Sequence, residues 1–581
     1  MENKLVISID LPQDLIYPSL PQQETPENQT LRRAFLAKKK EVYLLSNANP
    51  LNLPLLKTPL PSEDSFSNEY NLGREAATAP TISNSSKVKS HLTDPFGPFL
   101  GLADYEKMYI DIRQPEVVSN WYSDEGFGEQ RLSGVNPVII KRVDDKQSLP
   151  STLDISKLEE VLDNSAELDK LITAKHLYVA DLASDLNQIP EGSVAGIQKY
   201  LPKPIGLFYW DEDGAQLKNP EQKEGRLLPL AIQIDVADGQ VKVFTPNNTK
   251  LLWTIAKMCF SIADANMHEM STHLGRSHFA QESFGAITPC HLAPQHPISI
   301  LLRPHLRFLV HNNQQGMERL VQQGGPVDQL LGGTLQGSLK ISVAAAKNWS
   351  VIETFPDLIK ARGVDSKAVL PHYPYRDDGV LLWEAIANYV EEYLNIYYKS
   401  EQNILDDYEL QNWAATLSDM SPEGGNIRDM PSKFNNIEQL SKIISVIIFT
   451  NSAGHSSVNY SQYPYLGFSP NLPLAGYSNY REFLAKEDSN EEEQLTFMRK
   501  FLPPQALALG QIDITSALSE YHFDSLGDYT KELTDPLAKH ALYNFTQSLN
   551  LIEQRINIRN RKRVIPYIYM LPSEVLNSAS I

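Results

Sequence analysis

Three histidines stand five residues apart inside a long segment, 251–278, that has recurring apolar positions and no internal proline. That combination constrains the fold more than any compositional value. A segment of this length and pattern reads as one long helix set against the core. On a regular α-helix a five-residue step turns about 500°, so the rings of His268, His273 and His278 would point roughly 140° apart in succession. A π-bulge, with hydrogen bonds between residues five apart, returns such residues to one side, and π-bulges are frequent at functional sites. The spacing therefore predicts a locally widened helix that aims two imidazoles at one ion.

The same count sets aside a zinc peptidase. Its motif, H-E-x-x-H, puts two histidines four apart on a regular helix, whereas His268-Glu269 leads to His273. A second segment offers the four-residue spacing: His455 and Asn459 share one face of an ordinary helix. Such a pair is commonly surface or a satisfied core group. Here it follows IISVIIFT at 443–450, an almost wholly apolar run that marks a buried helix. Histidine and asparagine buried there need partners, and a metal is one good partner. Long helical patterns also run over 380–399 and 437–458. Two β-like stretches, 206–210 and 228–235, flank an Asp-Glu-Asp-Gly turn and read as a small hairpin.

A chain of 581 residues allows two to four domains, and 42% hydrophobic with 21% charged residues is a globular composition. The net charge of -19 argues against a sequence-independent nucleic-acid binder, because no basic excess exists to neutralise phosphates. Only Cys259 and Cys290 are present, so no disulfide framework is expected. The opening apolar run is interrupted by Asp10 and Pro12, too short and acidic for a signal peptide. No 18-residue apolar run occurs. The expectation is a soluble, cytoplasmic protein that reaches lipid, if at all, from the surface. Residues 1–93 differ from the rest: prolines and Ser/Asn/Thr-rich stretches surround one short basic helix at 30–45. It reads as an arm packed on the main domain. A contact with anionic membranes through Arg32, Arg33, Lys38, Lys39 and Lys40 is the other reading. Residues 94–581 read as one large, mainly α domain with a minor antiparallel β element.

In those segments the chain resembles the lipoxygenase family. The family carries H-x4-H-x4-H on one helix, H-x3-N on another, and a C-terminal isoleucine. Further matches, in family order, are WYSDE at 121–125, GVNP at 134–137, HP at 296–297, PHLR at 304–307, YPYRDDG at 373–379 and QYPY at 462–465. The resemblance implies that His273, His278, His455, Asn459 and the Ile581 carboxylate bind one metal. His268, Glu269 and Gln462 would surround them without binding it, Glu269 and Gln462 linking the two helices by hydrogen bonding. It also implies a lipoxygenase-type helical catalytic domain over 94–581. The family's N-terminal β-sandwich lipid-binding domain has no counterpart in 1–93, and Leu274 follows His273 as in animal enzymes. A compact, cyanobacterial-type form fits best.

What the resemblance implies chemically is a non-haem iron centre, Fe2+/Fe3+, with manganese the less favoured metal. It would remove hydrogen from the doubly allylic methylene of a polyunsaturated fatty acid of the linoleate or linolenate class, and O2 would add to give a hydroperoxide. Leu320 and Val327 fall where the family brackets the pentadiene, and Leu330 and Leu331 where it sets pocket depth; each could equally be ordinary core. Gly316, twelve residues past Pro304, falls where glycine accompanies R-configured products. Two other readings are a hydroperoxide isomerase using the same site and a catalytically silent lipid-binding protein. The intact ligand positions argue against the second.

Overall fold

The structure is a computed structural model that describes residues 17–57, 59–162, 165–214, 225–486 and 488–581. The opening stretch read as lacking a signal peptide lies outside the described residues.

The helix Lys250–Met267 is the axis of the molecule. Thr249 caps it, its side chain accepting from the Leu252 amide, and nearly every residue from Trp253 onward is buried. A helix buried on all sides belongs at the centre of a large core. It runs straight into a π-helix, His268–His278, in agreement with the five-residue spacing. A second buried helix, Ile437–Phe449, starts at an Asn436 cap and likewise passes into a π-helical turn, Thr450–Gly454, and then His455–Asn459. The sequence reading held no expectation of that second π segment, because a four-residue spacing asks nothing unusual of a helix. Helix Pro374–Tyr397 packs against Ile437–Phe449 on one side and Pro536–Asn560 on the other.

The hairpin is part of a larger element. Strands Lys141–Arg142, Leu177–Asp181, Ile205–Asp211, Arg226–Asp235 and Val241–Phe244 form one antiparallel sheet in that order. Its side chains alternate as a pleat requires. Tyr178, Phe208 and Trp210 join the main core, whereas Leu177, Val179 and Leu207 face a smaller cluster with Leu158 and Leu168. The mainly α fold with a minor antiparallel β element is the one observed.

Among the described residues, 17–93 contain two α-helices, where the sequence suggested one. The first, Pro26–Val42, is the basic helix, capped by Thr25. Its Arg32 is fully buried and donates to both oxygens of Glu409, at 2.7 and 2.9 Å. Lys39 pairs with Glu63. Arg32 therefore cannot meet a membrane, because its charge is spent inside. The second helix, Asn68–His91, carries Pro80 and buries Thr81, Asn84 and Ser85 with Val88. It lies along Gln505–Ser519, with Thr81 hydrogen-bonded to Ser516 at 2.6 Å and Ser85 to Asp513 at 2.7 Å. A buried face built of small polar residues leaves no apolar periodicity, so sequence pattern alone does not reveal it. Leu20, Tyr43, Leu45, Tyr70 and Val88 share the main core.

Candidate metal centre

The π-helix and the His455–Asn459 turn face each other, and His273, His278 and His455 converge. One ring nitrogen from each lies within 4.8 Å of the others, all buried. The Nε2 atoms of His273 and His278 are 3.1 Å apart. Two imidazole nitrogens bound at about 2.1 Å and at right angles around one ion would stand about 3.0 Å apart. Both ring nitrogens of His455 are buried without a hydrogen-bond partner. An orphaned buried imidazole is costly, and a shared cation removes that cost. The donor set fits a metal ion.

Electrostatics keep these rings in the ligand form. Burial pushes His278 down to about 3, with His273 adding to it. Burial also lowers His273 and holds His455 well below the usual histidine range. Neutral imidazoles present free lone pairs, the state that metal binding requires. Glu269 lies between two rings, 3.6 Å from Nδ1 of His268 and 3.6 Å from Nδ1 of His273. Burial opposes its charge, but those two histidines overcome burial and bring its carboxyl down to about 2.

His268 is turned away. Its Nε2 donates to the Val458 carbonyl at 2.7 Å, and its ring stacks parallel to His273 at 5.9 Å. Asn459 lies against His273; its amide nitrogen donates to Leu518 at 2.6 Å and its oxygen accepts from Gln462 Nε2 at 2.9 Å. Glu269 and Gln462 line one cavity, but no hydrogen bond joins them: Gln462 spends its amide on Asn459 instead. The expected link between the helices runs through His268 and Val458. Ile581 is 3% exposed and sits against His455.

The chain's last stretch is tied down residue by residue. Ser456 Oγ accepts from the Leu576 amide, His305 Nδ1 donates to the Asn577 carbonyl at 2.8 Å, and Ser578 Oγ donates to the Arg307 carbonyl at 2.6 Å. The PHLR segment thus serves as a clamp on this stretch. Burial lowers His305 to about 4, so its ring is neutral.

Three residues that sequence reading passed over bear on the site. Asn313 Oδ1 lies 3.1 Å from His278 Nδ1, and its amide donates to Glu282 at 2.6 Å. Glu282 also accepts from the Leu56 amide at 3.2 Å. The available signal was a lone carboxylate in the otherwise uncharged stretch after His278, since a buried charge needs partners. Tyr70 donates to the Ser580 carbonyl at 2.6 Å, and nothing in its sequence surroundings marks it.

One cavity of about 1060 Å³, counted with its opening, reaches the centre. It is lined by His273, His278 and Ile581 and also by Gly316, Leu320, Val327, Leu330 and Leu331. A β-carbon built on Gly316 meets nothing within 4 Å. Arg74, Gln315, Arg319 and Ala517 line both this cavity and a neighbouring groove, so they mark its outer end.

A helical core with three buried, converging histidines that could hold a metal ion, beside a cavity lined largely by apolar residues, is an arrangement with close relatives among known proteins. The lipoxygenase family signature matches residues 221–566. The chain is 31% identical over 498 residues to the allene oxide synthase-lipoxygenase protein of Plexaura homomalla, covering 80% of this chain and 44% of that protein. It is 29% identical over 517 residues to the linoleate 9/13-lipoxygenase of Pseudomonas aeruginosa, covering 85% and 72%. The crystal structure of coral 8R-lipoxygenase superposes with a TM-score of 0.85 at 28% identity, over 97% of this chain and 83% of that one. A calcium-dependent 11R-lipoxygenase gives 0.83 at 25%, with the same coverage. This chain belongs to the lipoxygenase family and is an oxidoreductase of the dioxygenase class. No helix among the described residues is long and apolar enough to cross a membrane.

Proposed function

We propose that this protein is a non-haem iron dioxygenase that converts free polyunsaturated fatty acids to R-configured hydroperoxides. The observation that carries the reading is one cavity lined by His273, His278 and Ile581 together with Gly316 and the four aliphatic residues. His273, His278, His455, Asn459 and the Ile581 carboxylate would hold the iron. When bound, iron supplies the one-electron chemistry that removes a hydrogen atom from a methylene between two cis double bonds. The protein's own part is placement and exclusion of water. Leu320 and Val327 bracket the pentadiene beside the cluster, and Leu330 and Leu331 stop the chain. Open space at Gly316 leaves O2 access to one end of the pentadienyl radical, which an alanine methyl would shield. Arg74 is half-buried and Arg319 exposed, and neither forms an ion pair among the described residues. Two guanidinium groups at the outer end suit a carboxylate there, with the methyl end inward. Solved neighbours named for 8R and 11R products support the handedness.

Product analysis on linoleate by chiral-phase chromatography, with iron quantitation, tests this reading. An R hydroperoxide is expected from the wild type. Gly316→Ala should fold normally, because its methyl enters open space, and should shift product toward S at a different carbon. Predominantly S product from the wild type, or an unchanged pattern in the variant, refutes the role of Gly316. A hydroperoxide isomerase is the second reading, since mouse hydroperoxide isomerase ALOXE3 is 29% identical over 475 residues. Stoichiometric oxygen uptake with linoleate would exclude it.

A further inference from the structure

We infer that Tyr70, on the helix Asn68–His91, is a positioning residue for the metal centre. The inference rests on the reading that Ile581 completes the donor set. From Leu576 to Ser578 the terminal stretch is held by groups of the helical body: Ser456, His305 and the Arg307 carbonyl. The next tether changes origin. The Ser580 carbonyl, one residue before Ile581, accepts from the Tyr70 hydroxyl at 2.6 Å, 510 residues away in sequence. That bond is the last one before the chain reaches His455, and both partners are buried.

The hydroxyl is separable from the packing. The Tyr70 ring stacks on Phe66 at 4.3 Å and meets Phe308, Tyr521 and Phe523 edge-on at 5.0, 5.1 and 5.3 Å. Those contacts dock the helix, and phenylalanine would keep them all. Removal of the oxygen alone leaves the Ser580 carbonyl buried without its donor. The final peptide then gains freedom to rotate, and Ile581 is no longer directed at the cluster. A residue in a segment that sequence reading placed outside the catalytic domain thereby holds part of the site.

The test uses full-length protein loaded with Fe2+. Wild type, Tyr70→Phe, a chain lacking Ile581, and Leu72→Ala, an exposed position on the same helix, are compared. Iron release to a chelator is followed by metal analysis, with circular dichroism and melting curves alongside. Tyr70→Phe should release iron roughly tenfold faster or more, the scale of losses on removing a group behind a ligand. The chain without Ile581 should not retain iron, and Leu72→Ala should match wild type. If loss of Ile581 strips iron while Tyr70→Phe holds it normally, the tyrosine inference is overturned and the donor set stands. If the shortened chain keeps its iron, the donor set is wrong and the inference falls with it. A Tyr70→Phe protein that melts lower yet releases iron at the wild-type rate also overturns it.

Discussion

His268 and His273 share a helix, a ring stack and complete or near-complete burial, yet only one of them turns a free nitrogen to the cluster. The difference is one hydrogen bond, from His268 Nε2 to the Val458 carbonyl. It should be visible in metal content. His273→Ala, His278→Ala or His455→Ala removes a donor of the three-ring set and should leave no bound iron. His268→Ala should retain measurable iron, with a loss of about 10–100-fold in affinity or activity. Equal and complete loss in all four variants would mean that the ladder is assigned wrongly. At this scale the sequence was informative where spacing was abnormal. A five-residue repeat demands a widened helix, and His268–His278 is one. It was silent about Asn313, Glu282 and Tyr70, because a hydrogen bond between residues far apart in the chain leaves no local pattern. The proposed Glu269–Gln462 link marks the same limit: both side chains reach the cavity, but the partner of Gln462 is Asn459.

Among elements, legibility followed the size of the buried side chains. Lys250–Met267 and Ile437–Phe449 bury large apolar side chains at recurring positions and were readable as buried helices. Asn68–His91 buries threonine, asparagine and serine against Gln505–Ser519, so it gave no periodic signal. Yet this helix supplies Arg74 to the cavity's outer end. Tail-first entry makes a specific claim about it. Arg74→Gln and Arg319→Gln should each raise KM for linoleate roughly two- to fivefold, the scale of a solvent-exposed ion pair, with kcat little changed. Methyl linoleate, which has no carboxylate, should show no such shift. The comparison of KM for acid and ester across the three proteins is the measurement. Equal effects on both substrates would reject a carboxylate contact at this end.

The whole molecule is held together across a seam, and the seam should respond to pH. Residues 17–57 meet the helical body where the Leu56 amide donates to Glu282, and Glu282 in turn accepts from Asn313. Burial raises the Glu282 carboxyl from 4.5 to about 7, against the lowering effect of its two donors and with help from Asp64. Asp64, also at the seam, is raised by burial to about 6. A carboxyl raised on folding binds its proton more tightly in the native state than in the unfolded chain. Its contribution to stability is therefore full below about 4.5 and is lost as pH rises toward 7. This runs opposite to the usual acid destabilisation, in which paired carboxylates with lowered values, such as Glu269, are the ones that fail. Glu282→Gln keeps an amide of the same shape, neutral at every pH. Its melting temperature relative to wild type should rise steadily as pH is taken from about 5 to 7, and the difference should level off above. Thermal melts of both proteins over that range check it. A difference that stays constant across the range would show that Glu282 titrates alike in the folded and unfolded chains, and that the seam carries no buried proton.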